Sequence, residues 1–441
     1  MTTHTILLFG ASGDLAMRKL IPALHEVMKS DSSVIWRLIG IAHDAITADD
    51  MMQRAQSHVA QFDEELWQKL CSNVEYVQGD FTDAAVYTKL AERLGNQKTP
   101  LLVYCATSSD YFLPITQGLV SAGIMKKQNA PEDVWQRIAY EKPFGSDAAS
   151  AHALNDALLE LLTEGQIFRI DHYAAKKGPM SILGARILDP HFNEVWQAVN
   201  FKSLQIVVNE QDGIGLRGGY YDARGALHDM LQSHLLQFLA LVAVHEPVLH
   251  QPYLGFNKAE ILAACSIQDV VLGQYSGYRK EAHVAPRSKT ETFVAARVCI
   301  DLPRWKDVAI FLKTGKKLAQ PGNVMYAICS EVDQTDLSIG CVVQGDNGAA
   351  FMSDASLIRQ SLQTVTPTAA AEPLRAYGRI LEFMIAGEKT FCLTIAEIAE
   401  MWRIVDAVSL QKHPVHSYKA GSAGPDELVE FSVKHGIEWI I

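Results

Sequence analysis

Short apolar runs alternate with helical repeats through the first 170 residues. Thr5–Phe9 is a continuous apolar run ending at Gly10, the pattern of a strand buried on both faces of a parallel sheet. Leu15, Leu20, Ile21, Leu24, Val27 and Met28 then recur at helical spacing. The same reading predicts a strand over Trp36–Ala42, a helical region over Asp49–Cys71, a strand at Val74–Val77 and a helix over Ala84–Leu94. Leu101–Thr107 and Arg137–Tyr140 read as strands flanking a helix at Phe112–Ala122. An amphipathic helix over Ala151–Leu162 and a strand over Gln166–Ile170 complete the series. Such alternation builds a parallel sheet covered by helices, and predicts an α/β Rossmann-type dinucleotide-binding domain over residues 1–174.

Beyond about Gly178 the texture changes. Strand patterns at Ser203–Val208, Thr292–Ile300, Val308–Lys313, Val324–Cys329, Leu337–Gln344 and Ala349–Met352 follow one another mainly through turns. The main helical run is Ala226–Val244. This predicts an α+β domain over residues 175–441 with a large, mostly antiparallel sheet. There is no internal repeat or low-complexity tract, and Gly421–Pro425 marks a loop.

Composition narrows the function. The chain has 441 residues, 48% hydrophobic and 20% charged, with a formal charge of −11. No run of Lys or Arg makes the basic stripe of a nucleic-acid binder, so an anionic ligand must be held by a few local cations. Seven cysteines, an odd number with no C-x-x-C pair, speak against a disulfide framework or zinc site and fit a reducing cytoplasm. The N-terminal residues carry no basic region or small-residue cleavage site, which predicts no signal peptide. The longest apolar run, Phe238–Val244, is too short to cross a bilayer.

The chemistry concentrates in four places. Gly10-Ala11-Ser12-Gly13-Asp14-Leu15-Ala16 joins the first strand to the first helix. Its glycines let backbone approach a pyrophosphate, which the helix N-terminus favours, although the spacing is G-x-x-G and not G-x-G-x-x-G. Lys142 follows the carboxyl end of a strand, where open α/β sheets keep their chemistry. In Arg169-Ile-Asp-His-Tyr-Ala-Ala-Lys-Lys177, a helical conformation would put His172 and Lys176 on one face, a pairing suited to a phosphate dianion. Asp171 would then point elsewhere, free to orient a histidine. His234 lies in the apolar helical run, five residues after Asp229. On an ideal α-helix that separation is roughly 140°, so the two need not touch, though both could border one ligand from the side. Taken singly, each feature also reads blandly: a tight turn, a surface cation, a solvated segment, a buried core histidine.

Together these stretches resemble glucose-6-phosphate dehydrogenases. The matching motifs are Gly10–Ala16, Glu141-Lys-Pro-Phe-Gly145, Arg169-Ile-Asp-His-Tyr173 with Lys176, and Arg217-Gly-Gly-Tyr-Tyr-Asp222. Asp229 with His234, Gly273-Gln-Tyr275, Thr290-Glu-Thr-Phe293, Thr314-Gly-Lys316, Trp402-Arg-Ile-Val-Asp406 and Gly424-Pro425 continue the likeness in order along the chain. The resemblance implies oxidation of C1 of a hexose 6-phosphate to the 6-phospho-lactone, with hydride transfer to NAD or NADP and no metal. It implies that His234 is the general base and that Asp171 orients its imidazole. It further implies that His172, Tyr173 and Lys176 bind the 6-phosphate, that Lys142 contacts sugar and cofactor, and that Glu210, Asp229 and Lys316 contact sugar hydroxyls. A homodimer or homotetramer in carbohydrate metabolism is implied as well.

The chain departs from the family near the sugar and the adenosine ribose. Ala174-Ala175 replaces the usual Leu-Gly, and Ser108-Ser109 stands where a Pro-Pro pair is usual, a change expected to loosen a loop beside the nicotinamide. Pro321 occupies the place of a second lysine, and Lys389 that of a polar residue, often Gln, near the sugar. These changes leave open a modified hexose 6-phosphate, such as an amino or deoxy sugar. A catalytically silent regulatory paralogue is the alternative from another class, which the joint presence of His234 and Asp171 disfavours. At the end of the second strand, NADP-preferring members carry an arginine; here His43 and Asp44 follow Ala42. A carboxylate repels a ribose 2′-phosphate and accepts a hydrogen bond from a free 2′-hydroxyl, so NAD is favoured. Asp44 lies about thirty residues past Gly13, further than the usual spacing of about twenty, and Arg37 or Lys19 is the competing source of positive charge.

Overall fold

A computed structural model describes residues 2–95, 99–129, 134–190, 193–194, 196, 200–244, 258–330, 336–343, 349–352, 376–389, 391–408 and 413–441. Six strands form the first sheet: β1 (Thr2–Phe9), β2 (Val34–Ala42), β3 (Val74–Gln78), β4 (Leu101–Cys105), β5 (Gln136–Tyr140) and β6 (Ile167–Arg169). Their order is β3-β2-β1-β4-β5-β6 and every pairing is parallel. Leu7, Leu8, Phe9, Leu102, Val103 and Tyr104 are fully buried, as a sheet covered on both faces requires. The order reverses between β1 and β4. Open α/β sheets bind ligands at such a reversal, outside the carboxyl ends of the strands. The predicted helical region Asp49–Cys71 is two helices, Ala48–Gln56 and Glu64–Cys71. Thr47 and Asp63 each cap the next helix, which sets the break between them.

The second sheet has eight strands among the described residues. They are β7 (Asn200–Asn209), β8 (Cys265–Tyr275), β9 (Phe293–Ile300), β10 (Ala309–Gly315), β11 (Gly322–Ser330), β12 (Asp336–Val343), β13 (Ala349–Met352) and β14 (Val415–Tyr418). The order is β13-β12-β11-β7-β10-β9-β8-β14. Only the β7–β10 and β8–β14 pairs are parallel, so the sheet is mixed and mostly antiparallel. Neither β8 nor β14 was legible in the hydrophobic pattern. β8 carries Ser266, Gln268, Asp269, Gly273 and Gln274 among its apolar residues, and β14 is a four-residue edge strand.

The chain separates into two compact units, Met1–Ala175 with Ala371–Ile398, and Lys176–Ala370 with Ala399–Ile441. The return of 371–398 to the first unit differs from a single division after residue 174. Its described part has identifiable attachments there. Helix Ala376–Ala386 packs on helix Ile21–Ser30, with a 2.8 Å bond from Ser30 Oγ to Glu382. Arg137 donates to the carbonyls of Met384 and Ile385 at the end of that helix while its guanidinium lies 4.2 Å over the Trp135 ring. Leu393 N–H donates to the Arg169 carbonyl at 2.9 Å. Lys389 is buried in this unit, donating to the Glu164 carbonyl and lying 5.0 Å over the Phe168 ring, so it serves the packing here.

In the second unit one carboxylate organises a long connection. Asp222 accepts from Tyr278 Oη at 2.9 Å, Ala285 N–H at 3.0 Å and Ser288 Oγ at 2.5 Å, and its carbonyl accepts from Thr290 Oγ1 at 2.6 Å. Three side-chain bonds of about 1 kcal/mol each would vanish in Asp222→Ala, so the unfolding free energy should fall by roughly 3 kcal/mol. Urea denaturation measures this. A loss below about 0.5 kcal/mol, the range of ordinary surface substitutions, would show that the 278–290 connection is held by something else.

Candidate active site

The first component lies at the sheet reversal. Gly10 has φ +81°, and a Cβ there would stand 2.4 Å from the Ala106 carbonyl oxygen. Only glycine allows the β1 end to approach the β4 end this closely. The Gly10 and Ala11 N–H groups donate to Ile41 at 2.8 and 3.2 Å, and Gly13 N–H to Gly10 at 2.9 Å. The turn then runs into five residues of wide, i→i+5 winding, Ala16–Leu20, before helix Ile21–Ser30. This is a cradle that side chains would fill, and it fits a dinucleotide pyrophosphate.

His43 and Asp44 close that cradle from the end of β2. The Ser12 hydroxyl donates to the Asp44 carboxylate, and Tyr76 Oη donates to the Asp44 carbonyl at 2.8 Å. The spacing of about thirty residues is spanned by continuous helical winding over Ala16–Ser30 and the nine-residue strand β2. The His43 ring lies 4.7 Å from Phe81 and 6.3 Å from Tyr111. Arg37 sits in the middle of β2, its guanidinium 2.8 Å from Glu75 and bonded to the Arg93 carbonyl. Residues Ser109–Tyr111 form a short helical turn, and Ser108 Oγ donates to Asp110 at 3.1 Å.

The Asp-His-Tyr segment is not helical. Asp171 Oδ1 accepts from the Tyr173 N–H at 2.9 Å, a side-chain bond that competes with helix formation and makes a turn. The shared helical face expected of His172 and Lys176 is therefore absent. Lys176 instead has extended backbone as the residue preceding helix Lys177–Leu188. Within the first unit, the His172 ring stacks on Tyr377 at 5.3 Å, and Arg379 Nε holds the Ala175 carbonyl at 2.8 Å. Lys142 follows β5, and its bond to Pro143 is cis. Beside it Glu141 is buried and accepts from Tyr104 Oη at 2.6 Å. Burial pushes its carboxyl up to about 7.

In the second unit, Asp229 and His234 lie in Leu227–Leu235, which is wound with i→i+5 hydrogen bonds before continuing as helix Leu236–Ala243. At about 4.4 residues per turn, such winding leaves residues five apart roughly 50° from one another. Asp229 and His234 therefore share one side of the helix, in place of the 140° separation expected of an α-helix. His234 is 4% exposed and Asp229 half-buried. Lys316, buried just past β10, pairs with Glu210 just past the neighbouring β7. The parallel register of these two strands places both residues at the same sheet end.

The Thr290-Glu-Thr-Phe293 stretch, which sequence reasoning left without a role, supports these groups. Leu227 N–H donates to Glu291 Oε1 at 2.9 Å and Ala226 N–H to the Glu291 carbonyl at 2.9 Å, so Glu291 caps the helix bearing Asp229 and His234. Gly225 has φ +68°, and a Cβ would stand 2.1 Å from Glu291 Oε1. The Lys316 N–H donates to the Thr292 carbonyl at 2.9 Å, and Tyr418 Oη to the Lys316 carbonyl at 2.6 Å. A Cβ on Gly315 would meet the Phe293 ring at 2.7 Å. Tyr104, Tyr377, Glu291 and Tyr418 carry no periodic signal, because their roles arise from partners distant in sequence.

Two family descriptions match the chain. Glucose-6-phosphate dehydrogenase, NAD binding domain, matches residues 7–178; Glucose-6-phosphate dehydrogenase, C-terminal domain, matches 183–328 and 336–440. The Glucose-6-phosphate 1-dehydrogenase 1 of Mycobacterium tuberculosis (strain CDC 1551 / Oshkosh) is 31% identical over 442 residues, covering 96% of this chain and 93% of its own. The Glucose-6-phosphate 1-dehydrogenase of Chlamydia muridarum (strain MoPn / Nigg) is 29% identical over 501 residues, covering 98% and 96%. The crystal structure of Glucose-6-phosphate 1-dehydrogenase from Mycobacterium avium superposes with a TM-score of 0.81 at 31% identity, over 99% of this chain and 98% of that one.

Glu291 yields a pH prediction. Burial pushes its carboxyl up to about 7, against the Leu227 N–H, which favours the ionised form. In the unfolded chain a glutamate titrates near 4.3, so between about pH 4.3 and 7 the folded protein binds the extra proton. The contribution of this group is fully present below that range and lost as pH rises through 7. Relative to Glu291→Gln, the native protein should thus lose stability by about 2–3 kcal/mol between pH 5 and 8. Parallel pH profiles of the two proteins would refute the shift.

Proposed function

The chain belongs to the glucose-6-phosphate dehydrogenase family, and we propose that it oxidises C1 of a hexose 6-phosphate, with glucose 6-phosphate as the preferred sugar, to the 6-phospho-lactone. The nicotinamide ring, when bound, accepts the hydride from C1. His234 accepts the C1 hydroxyl proton, the task for which histidine is the side chain most often used. Asp171 is the carboxylate that keeps this imidazole in the accepting tautomer. His172, Tyr173 and Lys176 hold the 6-phosphate, and Lys176 adds its ammonium to the positive end of the twelve-residue helix Lys177–Leu188. Glu210, Asp229 and Lys316 take sugar hydroxyls, and Lys142 serves sugar and cofactor. The observation that carries this reading is the winding of Leu227–Leu235, which presents a carboxylate and a buried imidazole on one side of a capped helix.

His234→Ala should keep sugar-phosphate binding and lose roughly 10²–10⁴ in turnover, the usual share of a general base. Steady-state assay with glucose, mannose, galactose and glucosamine 6-phosphates identifies the sugar at the same time. A variant retaining more than half the turnover removes His234 from the role, and equal use of unphosphorylated glucose removes the phosphate site.

The dinucleotide is NAD in preference to NADP. Asp44 places a carboxylate against Ser12 of the glycine turn, where a 2′-phosphate would be repelled and a 2′-hydroxyl welcomed. Of the two competing cations, Arg37 is committed to Glu75, and Lys19 lies in the winding that follows the glycine turn. The native protein should show the higher kcat/KM with NAD, and His43→Arg with Asp44→Ser should shift preference towards NADP. A native ratio above about ten in favour of NADP, some 1.4 kcal/mol, would sink the assignment.

A further inference from the structure

One buried hydroxyl stands beside the groups assigned to the sugar. Tyr221 lies in the short helix Gly218–Asp222 and is 2% exposed. Its ring packs on Tyr278, centroids 6.3 Å apart, within the cluster that contains Tyr275, Phe293 and Tyr418. The ammonium of Lys316 lies 5.6 Å from the centroid of the ring, and Lys316 pairs with Glu210. Tyr221 Oη has no hydrogen-bond partner among the described residues. The ionisable groups acting on it are Asp229, Glu291, Glu210 and Tyr418, all in the same compact unit. Burial, reinforced by Asp229, pushes its pKa well above the usual phenol range, so it remains a donor at any working pH.

A buried donor with no acceptor is rare in folded proteins, because its lost hydration is unreplaced. The surroundings define what would satisfy it. The nearby carboxylates accept, the ammonium and the phenol donate, and a secondary alcohol both accepts and donates. A sugar hydroxyl can take the phenol proton and give its own to Asp229 or Glu210. We propose that the Tyr221 hydroxyl donates to a secondary hydroxyl of the bound hexose ring, which makes Tyr221 a specificity-determining residue of the sugar site. This rests on the hexose 6-phosphate reading above.

Tyr221→Phe removes that hydroxyl and little else. The test measures kcat/KM of native and variant enzyme with glucose 6-phosphate and its 2-, 3- and 4-deoxy analogues, and the melting temperature of both proteins without substrate. In the native enzyme one deoxy analogue should lose about three- to tenfold against the parent sugar, the range of one neutral hydrogen bond. The variant should lose that factor on the parent sugar and nothing further on that analogue. Substrate-free, the variant should melt no lower than the native protein. Deoxy penalties that all survive unchanged in an active variant overturn the proposal while leaving the hexose 6-phosphate reading intact. So does a substrate-free variant melting several degrees lower, which would reveal an internal partner. A native enzyme that reduces neither NAD nor NADP with any hexose 6-phosphate overturns the underlying reading and this inference with it.

Discussion

The i→i+5 winding of Leu227–Leu235 is the constraint around which the second unit is arranged. Such winding is rare and concentrates at functional sites. It brings Asp229 and His234 towards one side of the helix, and its surroundings hold it in place. Glu291 caps its first turn, and Gly225 admits that carboxylate because it has no Cβ to displace it. The connection supplying Glu291 is tied back to Asp222 through Tyr278, Ser288 and Thr290. A motif that looks like sequence punctuation, Thr290-Glu-Thr-Phe293, is thus the frame of the helix and of Lys316 together.

An acidic chain that holds an anionic sugar must place its cations individually, and the lysines show how. Lys316 is buried and matched by Glu210. Lys389 is buried too, and its ammonium meets the Glu164 carbonyl, the Glu164 carboxylate at 4.0 Å and the Phe168 ring. Burial lowers the pKa of Lys389 to about 8 and that of Lys313, 4.7 Å over the Trp439 ring, to about 7. Buried ammonium groups lose hydration and shed charge unless a carboxylate restores it. Local pairing of this kind is invisible in a net charge.

In the first unit the same economy of local bonds shapes the Asp-His-Tyr segment. A single acceptance from the Tyr173 N–H turns the chain at Asp171, while Tyr377 and Arg379, from a distant stretch, brace His172 and Ala175. Glu141 and Tyr104 add a buried pair at the ends of β5 and β4, next to Lys142. The cradle at Gly10 depends on a comparable intimacy, the approach of its backbone to Ala106 at the reversal of strand order.

Periodicity by itself determined the parallel sheet, the change to a mostly antiparallel one after about Gly178, and the glycine turn, because each is written in the local spacing of apolar residues and glycines. The motif residues His234, Asp171, Lys176 and Lys316 were named by resemblance to a family and not by spacing. Tertiary structure decided what spacing cannot carry. Whether His172 and Lys176 share a helical face depended on one side-chain bond from Asp171, and the angle between Asp229 and His234 depended on how a capped helix is wound. The return of 371–398 to the first unit, the edge strand β14, and the duties of Glu291 and Tyr221 arise from partners tens to hundreds of residues away. Such partners leave no period in the chain, since the free energy that selects them is burial and hydrogen bonding between segments that meet only once the fold has formed.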